Sequence, residues 1–487
     1  RLHVANGDSG GTITAVNTVS GEGVVASLKP VEIRGRDIAI DPDRGLLVPL
    51  SGQSQFGRAR DDFGNWFGCN NSRPMWHYVL EDADLRRNPH LAVRDTRAEV
   101  PVVPGAAPVF PLSRTLGRFN DHDRANRFTS ACSTMIYRDH ALGEEFAGDA
   151  FTCEPVHNLV SRLVLERDGV TFRGRRATSE NASEFLASSD NWFRPVMVRT
   201  GPDGGLWIAD MYRFVIEHPE WIPKEWQERL DLRAGQNLGR IYRVVRDSNS
   251  SCCGSEAPDT NDTHSRDWMT GASHDVTSAA LGHRLASPNG WWRDAAQRLL
   301  MHRADLIFED KTVLAALRKL AQDHDSPAVR TQALATLARL DWDQRAEDIA
   351  EALLHDPHPE VRRHAVGLSS YLIAASADRG VGLWNAVAIA AKDPDPAVRL
   401  QVALTLGWAS EPRAFRALTQ LLIGDASNVW LRTAVLSSLN EHNVGIIQQG
   451  VAQALKEAEG ERRHSLLDVL AEINGHAVAL GDGEATA

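Results

Sequence analysis

Apolar positions change their period once along this chain, near residue 246. Before that point they come in short runs separated by turn formers, as in NGDSGG at 6–11, DPDRG at 41–45, RDG at 167–169 and GPDGG at 201–205. Short apolar runs bounded by Gly, Pro, Asp and Asn predict strands. The segment DNWFRPVMVRTGPDGGLWIADMYR at 190–213 shows this most fully. Pro202 presets φ at the first corner of a tight turn, and the glycines accept positive φ. Leu206 to Asp210 then reads as a short buried strand. A turn of this kind feeding a strand in each sheet points to a β-propeller over a sandwich. Helical spacing in this half is confined to a stretch from Pro223 to Leu230.

From residue 266 to 487 the period is helical and the pattern repeats. The signature is Asp-x-(x)-Pro-x-Val-Arg opening a helix: DSPAVRTQALATLARL from Asp325, DPHPEVRRHAVGLSSYL from Asp356, DPDPAVRLQVALTLGWA from Asp393. Looser copies begin at Ser287 and Asp425. The equivalent arginines are Arg293, Arg330, Arg362, Arg399 and Arg432, spaced 37, 32, 37 and 33 residues apart. The Asp is expected to cap free N–H groups, and Pro sits in the first turn, where its missing N–H costs little. The repeat resembles HEAT repeats, which stack into an α-solenoid. That resemblance implies an Asp–Arg ladder between neighbouring repeats, so these residues read as structural. Between the halves, the polar stretch DSNSSCCGSEAPDTNDTHS at 247–265 reads as a linker. The expected organisation is therefore multidomain, all-β over 1–246 and then all-α over 266–487.

Composition narrows the function. A chain of 487 residues holds more than one domain, and a net charge of −11 disfavours general nucleic-acid binding. No uncharged apolar run is long enough for a transmembrane helix. The five cysteines form no C-x-x-C pair, no haem-attachment site and no zinc spacing. Cys132 and Cys153 are equidistant from the LGEE turn and face each other across a predicted hairpin. Either a cross-strand disulfide of an exported protein or two buried thiols would fit. Cys252 and Cys253 fall in the linker.

Residues 1–246 resemble the membrane-bound dehydrogenases of Planctomycetes and Verrucomicrobia, whose propeller is akin to quinoprotein glucose and sorbosone dehydrogenases. The matching stretches are VANGDSGG from Val4, RGRDIAIDPDRG from Arg34, SGQSQFGRARDDFGNWFG from Ser51, NRFTSACSTMIYRD from Asn126, FTCEPVHNLVSR from Phe151, and much of 185–243. The resemblance implies a six-bladed propeller followed by HEAT repeats in an exported, periplasmic or membrane-associated protein. A blade takes roughly 40–60 residues, so the chain is expected to carry only part of the propeller. The family's C-terminal cytochrome domain with haem c would lie beyond this fragment.

By that resemblance the activity is oxidation of a sugar or alcohol by pyrroloquinoline quinone with Ca²⁺, electrons passing to a cytochrome c domain or partner. Arg36 and Arg194 occupy places like those of quinone-binding arginines, whose planar fork suits carboxylates. Asp37 stands where the relatives have Asn and adds a negative charge beside an anionic cofactor. The alternative for these arginines is a structural ion pair. The family's catalytic His is expected upstream of Arg1.

The remaining candidates come from the residues themselves. His157, next to Glu154, is a general base or metal ligand, or else a hydrogen-bonded core histidine. His77 and His122 carry weaker forms of the same reading. Asp61, Asp62 and Asn65 offer oxygens to Ca²⁺ without EF-hand spacing, or form a solvated loop. Asp210, Tyr212 and Arg213 follow the GPDGG strand and either line a central funnel or tie sheets together. Trp66, Trp76, Trp192 and Trp207 stack on a sugar or pack between sheets. Two rivals to the dehydrogenase stand: a non-catalytic scaffold binding glycan or protein, and a Ca²⁺-dependent hydrolase or lactonase.

Overall fold

The computed structural model describes residues 2–7, 10–14, 30–42, 45–114, 125–247, 278–304, 311–340, 345–375 and 381–481. The chain forms two compact units. One comprises Arg1–Tyr78, Arg97–His274 and Pro288–Trp291, and the other Val79–Thr96, Asp275–Ser287 and Trp292–Ala487. A sheet-rich region is followed by a helical one, as expected, and the helical unit also takes the Val79–Thr96 segment from the middle of the sheet-rich half. His122, Cys252, Cys253 and the linker beyond Asp247 lie outside the described residues.

The first unit is built of antiparallel sheets. Strands β1 (Leu2–Val4), β2 (Thr12–Ile13), β3 (Val31–Glu32), β4 (Ile38–Asp41) and β5 (Leu46–Pro49) form a three-stranded sheet, β1-β4-β5, and a β2-β3 pair. β6 (Arg58–Arg60), β7 (Trp66–Asn70), β8 (Arg73–Tyr78) and β9 (Arg97–Glu99) pair in order. So do β10 (Cys132–Ile136), β11 (Ala150–Glu154), β12 (Leu159–Asp168) and β13 (Thr171–Arg175), with β14 (Leu186–Ala187) beside β12. β15 (Pro195–Thr200), β16 (Leu206–Asp210) and β17 (Arg240–Val244) complete the series. None of these sheets closes into a barrel among the described residues. The expected helix at 223–230 shrinks to Lys224–Gln227.

The 201–205 turn forms as its residues dictate. Gly204 N–H donates to the Gly201 carbonyl at 3.1 Å, and Gly204 takes a φ of +75°, open to a residue without Cβ. Asp203 Oδ1 then accepts from the Trp207 indole at 2.9 Å and so aligns β16. The alternation of β15 and β16 buries Val198, Leu206 and Ile208 against Met135, Tyr137, Phe151 and Val160 of the preceding sheet. Cys132 and Cys153 are register partners across β10 and β11, and both are free, buried thiols. Burial raises both thiols well above the ordinary range, which leaves them unreactive.

In the second unit each Pro of the repeat occupies the first helical position, in Pro327–Leu340, Pro359–Ala375 and Pro396–Leu406. The ladder forms as the HEAT resemblance implies. Arg330 grips Asp356 at 2.7 and 2.9 Å, Arg362 grips Asp393 at 2.7 and 2.9 Å, and Arg399 grips Asp425 at 2.8 and 2.7 Å. Each guanidinium also donates to the carbonyls that open its own repeat, such as Asp393 and Pro394 for Arg399. The leading Asp is thus chiefly the ladder acceptor. The cap of the Pro396–Leu406 helix is Asp395, which accepts from Ala397 and Val398 N–H. Arg432 leaves the pattern and meets Glu472 at 3.3 Å.

Candidate functional site

Among the described residues polar groups concentrate in several buried constellations, and two of them are built on an arginine that donates to main-chain carbonyls. The first joins the β11–β12 connection to the ends of β15 and β16. Pro155–His157 forms one 3-10 turn, closed by Asn158 in the left-handed region at φ +59°. The turn brings His157 back onto Glu154. His157 Nδ1 lies 3.1 Å from Glu154 Oε1, and Nε2 lies 3.1 Å from the Asn126 N–H. An amide N–H can only donate, so Nε2 accepts and the ring proton sits on Nδ1, directed at Glu154. Glu154 Oε2 accepts from Thr129 and Ser130 N–H, and Oε1 accepts from the Ser130 hydroxyl. Both nitrogens of His157 and both oxygens of Glu154 therefore have internal partners. A cleft beside this pair is lined by Val109, Phe110, Asn126, Glu184, Phe185 and Leu186.

Arg194 enters the same region from the start of β15 and is only 4% exposed. Its Nε donates to the Arg213 carbonyl at 2.8 Å, Nη1 to Pro155 and Val156 at 2.8 and 3.2 Å, and Nη2 to Phe214 at 2.8 Å. One guanidinium thus ties the β11–β12 turn to the chain leaving β16. Burial pushes it down to about 10, against the opposing pull of Asp190, Asp210 and Glu217. Asp210 Oδ1 accepts from the Arg194 and Tyr212 N–H groups at 2.8 and 2.7 Å and so holds Tyr212 at φ +48°. The Tyr212 hydroxyl donates to Asp190 at 2.9 Å, and Arg240 stacks over its ring. Arg213 reaches the Arg233 carbonyl at 3.3 Å.

The other sequence candidates scatter. Asp37 is buried away from this constellation. Its carboxylate accepts from Asn6 and Ser54 N–H and the Ser54 hydroxyl, and pairs with Arg58 at 2.7 Å. Arg36, half-exposed, precedes it in the turn before β4. His77 is buried between Phe67 and Phe172, with Nδ1 3.0 Å from the Thr171 hydroxyl. Asp61 closes a loop on Phe63 and Asn65, and Asp62 pairs with Arg138 at 2.6 Å. Trp66 stacks on His3, Trp76 lies under Arg97, and Trp192 sits against Tyr212 and Phe214. Trp207 bonds Asp203.

Two of the side chains that the resemblance points to are already engaged. The fork of Arg194 and the carboxylate of Asp37 are committed to the protein's own groups. Among the described residues no three His, Cys, Asp or Glu side chains converge to hold a metal ion.

The second constellation escaped the sequence reading. It lies within the helical unit, where the segment 79–96 meets the C-terminal ends of Pro396–Leu406 and Val429–Leu436. Arg87 Nη1 donates to the Leu404 carbonyl, and Nη2 to the Ser437 and Ser438 hydroxyl oxygens at 3.1 and 3.2 Å. Its Nε returns to the Asp84 carbonyl at 2.9 Å. Asn88 is 1% exposed. Its amide donates to the Leu436 carbonyl at 2.9 Å and meets His476 Nδ1 at 3.3 Å. Trp408 covers the Arg87 guanidinium and donates its indole N–H to Asp84 Oδ1 at 3.3 Å.

Helix ends explain this chemistry. The last carbonyls of a helix lack partners and carry the negative end of its dipole, so a cation and an amide N–H are favoured there. The Ser437 and Ser438 hydroxyls donate back to the Ala434 carbonyl, which turns their lone pairs toward Arg87. Gly407 has helical φ (−64°), so its backbone needs no glycine. A Cβ there would collide with Arg87 Nη1 and Ser438 Oγ. The signal available in the sequence was Gly-Trp at a repeat's helix end, facing an Arg-Asn pair more than 300 residues earlier.

A family model described as a domain of unknown function (DUF7133) matches residues 1–248, and a HEAT-repeat model matches residues 278–369 and 385–473. No curated protein matches the chain. Among solved structures, a designed armadillo repeat protein in complex with the peptide (KR)4 is 17% identical, with a TM-score of 0.27, over 41% of this chain and 100% of that one. An engineered protein from a structural-genomics target is 17% identical, with a TM-score of 0.28, over 41% of this chain and 98% of that one.

Proposed function

We propose that this chain, which belongs to the DUF7133 family, is a protein-binding scaffold whose HEAT solenoid supplies the recognition surface. The observation that carries this reading is the seating of Val79–Thr96. An irregular stretch is held by side chains that read helix ends, which is how a repeat array receives an extended polypeptide. The sheet-rich unit is read as a row of propeller-type blades. Its support is that β6, β10 and β15, each the first strand of its meander, lie side by side. Arg194 and Asp37, two of the residues that the resemblance would place beside a quinone, bond to the protein's own loops. Solvent-facing Trp408 and Val429 give the solenoid apolar contact points.

Panning a displayed peptide library on the immobilised full chain tests this reading. Binders are expected whose affinity falls about tenfold, or about 1.4 kcal/mol, with Trp408→Ala or Val429→Glu. No binders, or only binders indifferent to both substitutions, would overturn it.

A further inference from the structure

We propose that the pocket at the ends of helices Pro396–Leu406 and Val429–Leu436 is a recognition site for an arginine–asparagine pair on a partner polypeptide, kept filled by Arg87–Asn88 until the partner displaces it. This deepens the scaffold reading by naming the partner's chemistry and the device that regulates its access.

The pocket is specific in a way that a plain structural clamp does not require. It offers one carbonyl and two oriented hydroxyl oxygens to the two ends of a guanidinium, and Trp408 closes over the guanidinium face. Beside it, the Leu436 carbonyl and His476 Nδ1 together accept both N–H bonds of a primary amide. Lysine has neither the planar fork nor the reach for this set. Burial holds His476 below its ordinary range, with His90 adding to the effect, so its Nδ1 stays available as an acceptor. The gap left by Gly407 admits both the guanidinium and Ser438 Oγ, each of which a Cβ would meet.

The occupant has little regular structure, the single turn Asp82–Leu85, and Arg86 and His90 are exposed, while Leu80, Leu85 and Asn88 are the buried anchors that a partner must replace. Its base is closed by Val79 and Leu80 N–H donating to the Thr96 carbonyl, so the segment can swing out without breaking the sheet that flanks it. A tethered occupant competes at high effective concentration and lowers the apparent affinity for any rival in trans.

The test is titration of a fluorescent peptide with the sequence of residues 81–91 into the full chain. The Arg87→Ala/Asn88→Ala chain is expected to bind it at least about tenfold more tightly than the wild type. Adding Gly407→Ala, whose Cβ presses on Ser438 Oγ and takes the guanidinium's place, is expected to abolish that gain. A folded Arg87→Ala/Asn88→Ala chain that binds no better than wild type overturns the proposal. If that variant fails to fold, Arg87→Lys replaces it, which takes the fork from the occupant and leaves every acceptor of the pocket in place. Tighter peptide binding than the wild type supports displacement, and equal or weaker binding overturns it. Because the peptide is defined, this outcome is independent of whether a library yields other solenoid binders.

Discussion

Arg330→Ala is expected to destabilise the helical array by about 3–5 kcal/mol, the largest effect of any single change in the ladder. Arg330 and Asp356 are 9% and 6% exposed and are joined by two parallel bonds. The substitution strands a buried carboxylate and removes donors from the His324 and Asp325 carbonyls. The cost falls along the array as the pairs become wetter. Arg362–Asp393 is 14% and 7% exposed, Arg399–Asp425 is 20% and 16%, and Arg432–Glu472 is 22% and 40%. The last pair should behave as a surface ion pair worth under about 1 kcal/mol. Replacing both partners, as Arg330→Leu/Asp356→Leu, should recover most of the loss, because an apolar pair leaves no charge stranded. Urea unfolding of the full chain followed by helix signal measures this. An array that loses one interface should also split its transition, since each repeat is stabilised by its neighbours. Equal, small effects at all four positions would show that the ladder contributes little.

Arg194→Ala is expected to cost about 3 kcal/mol, by taking a buried guanidinium's donors away from the Arg213, Val156 and Phe214 carbonyls and leaving Pro155 only the Asn158 N–H. Arg194→Lys should rescue little. An ammonium has three donors on one centre and cannot span Pro155 and Val156 on one side and Arg213 and Phe214 on the other. The emission of Trp192, which packs on Tyr212 and Phe214, reports the loosening directly. Stability within about 1 kcal/mol of wild type would mean that this guanidinium is free for another task.

The two predictions also show what the sequence made legible. Repeats were readable because Asp, Pro and Arg recur at fixed offsets, each doing a job that elementary helix geometry requires. The facing of Cys132 and Cys153 was readable because strand pairing preserves distance from the turn; the free state of the thiols was not, since spacing is blind to oxidation. The role of Arg194 was hidden for a different reason. Its partners are main-chain carbonyls up to 39 residues away, and every residue has one. The Arg58 partner of Asp37 was equally silent, because an ion pair across 21 residues leaves no period. Hardest of all was Arg87, whose meaning depends on a glycine and two serines in a distant repeat.

A common thread runs through these sites. Buried arginines here are directed at helix ends, loop carbonyls and repeat carboxylates, where a rigid five-donor fork satisfies several acceptors at once. That use fastens loops and repeats within each unit, and under the scaffold proposal the solenoid is the part that receives another polypeptide.

The measurement that tests this account most directly is calorimetric titration of pyrroloquinoline quinone, with Ca²⁺ present, into the folded full chain. The scaffold account predicts no saturable heat, because Arg194 and Asp37 are already committed within the protein. Saturable binding that weakens in Arg36→Ala and Arg213→Ala would contradict it and return the sheet-rich unit to oxidation chemistry.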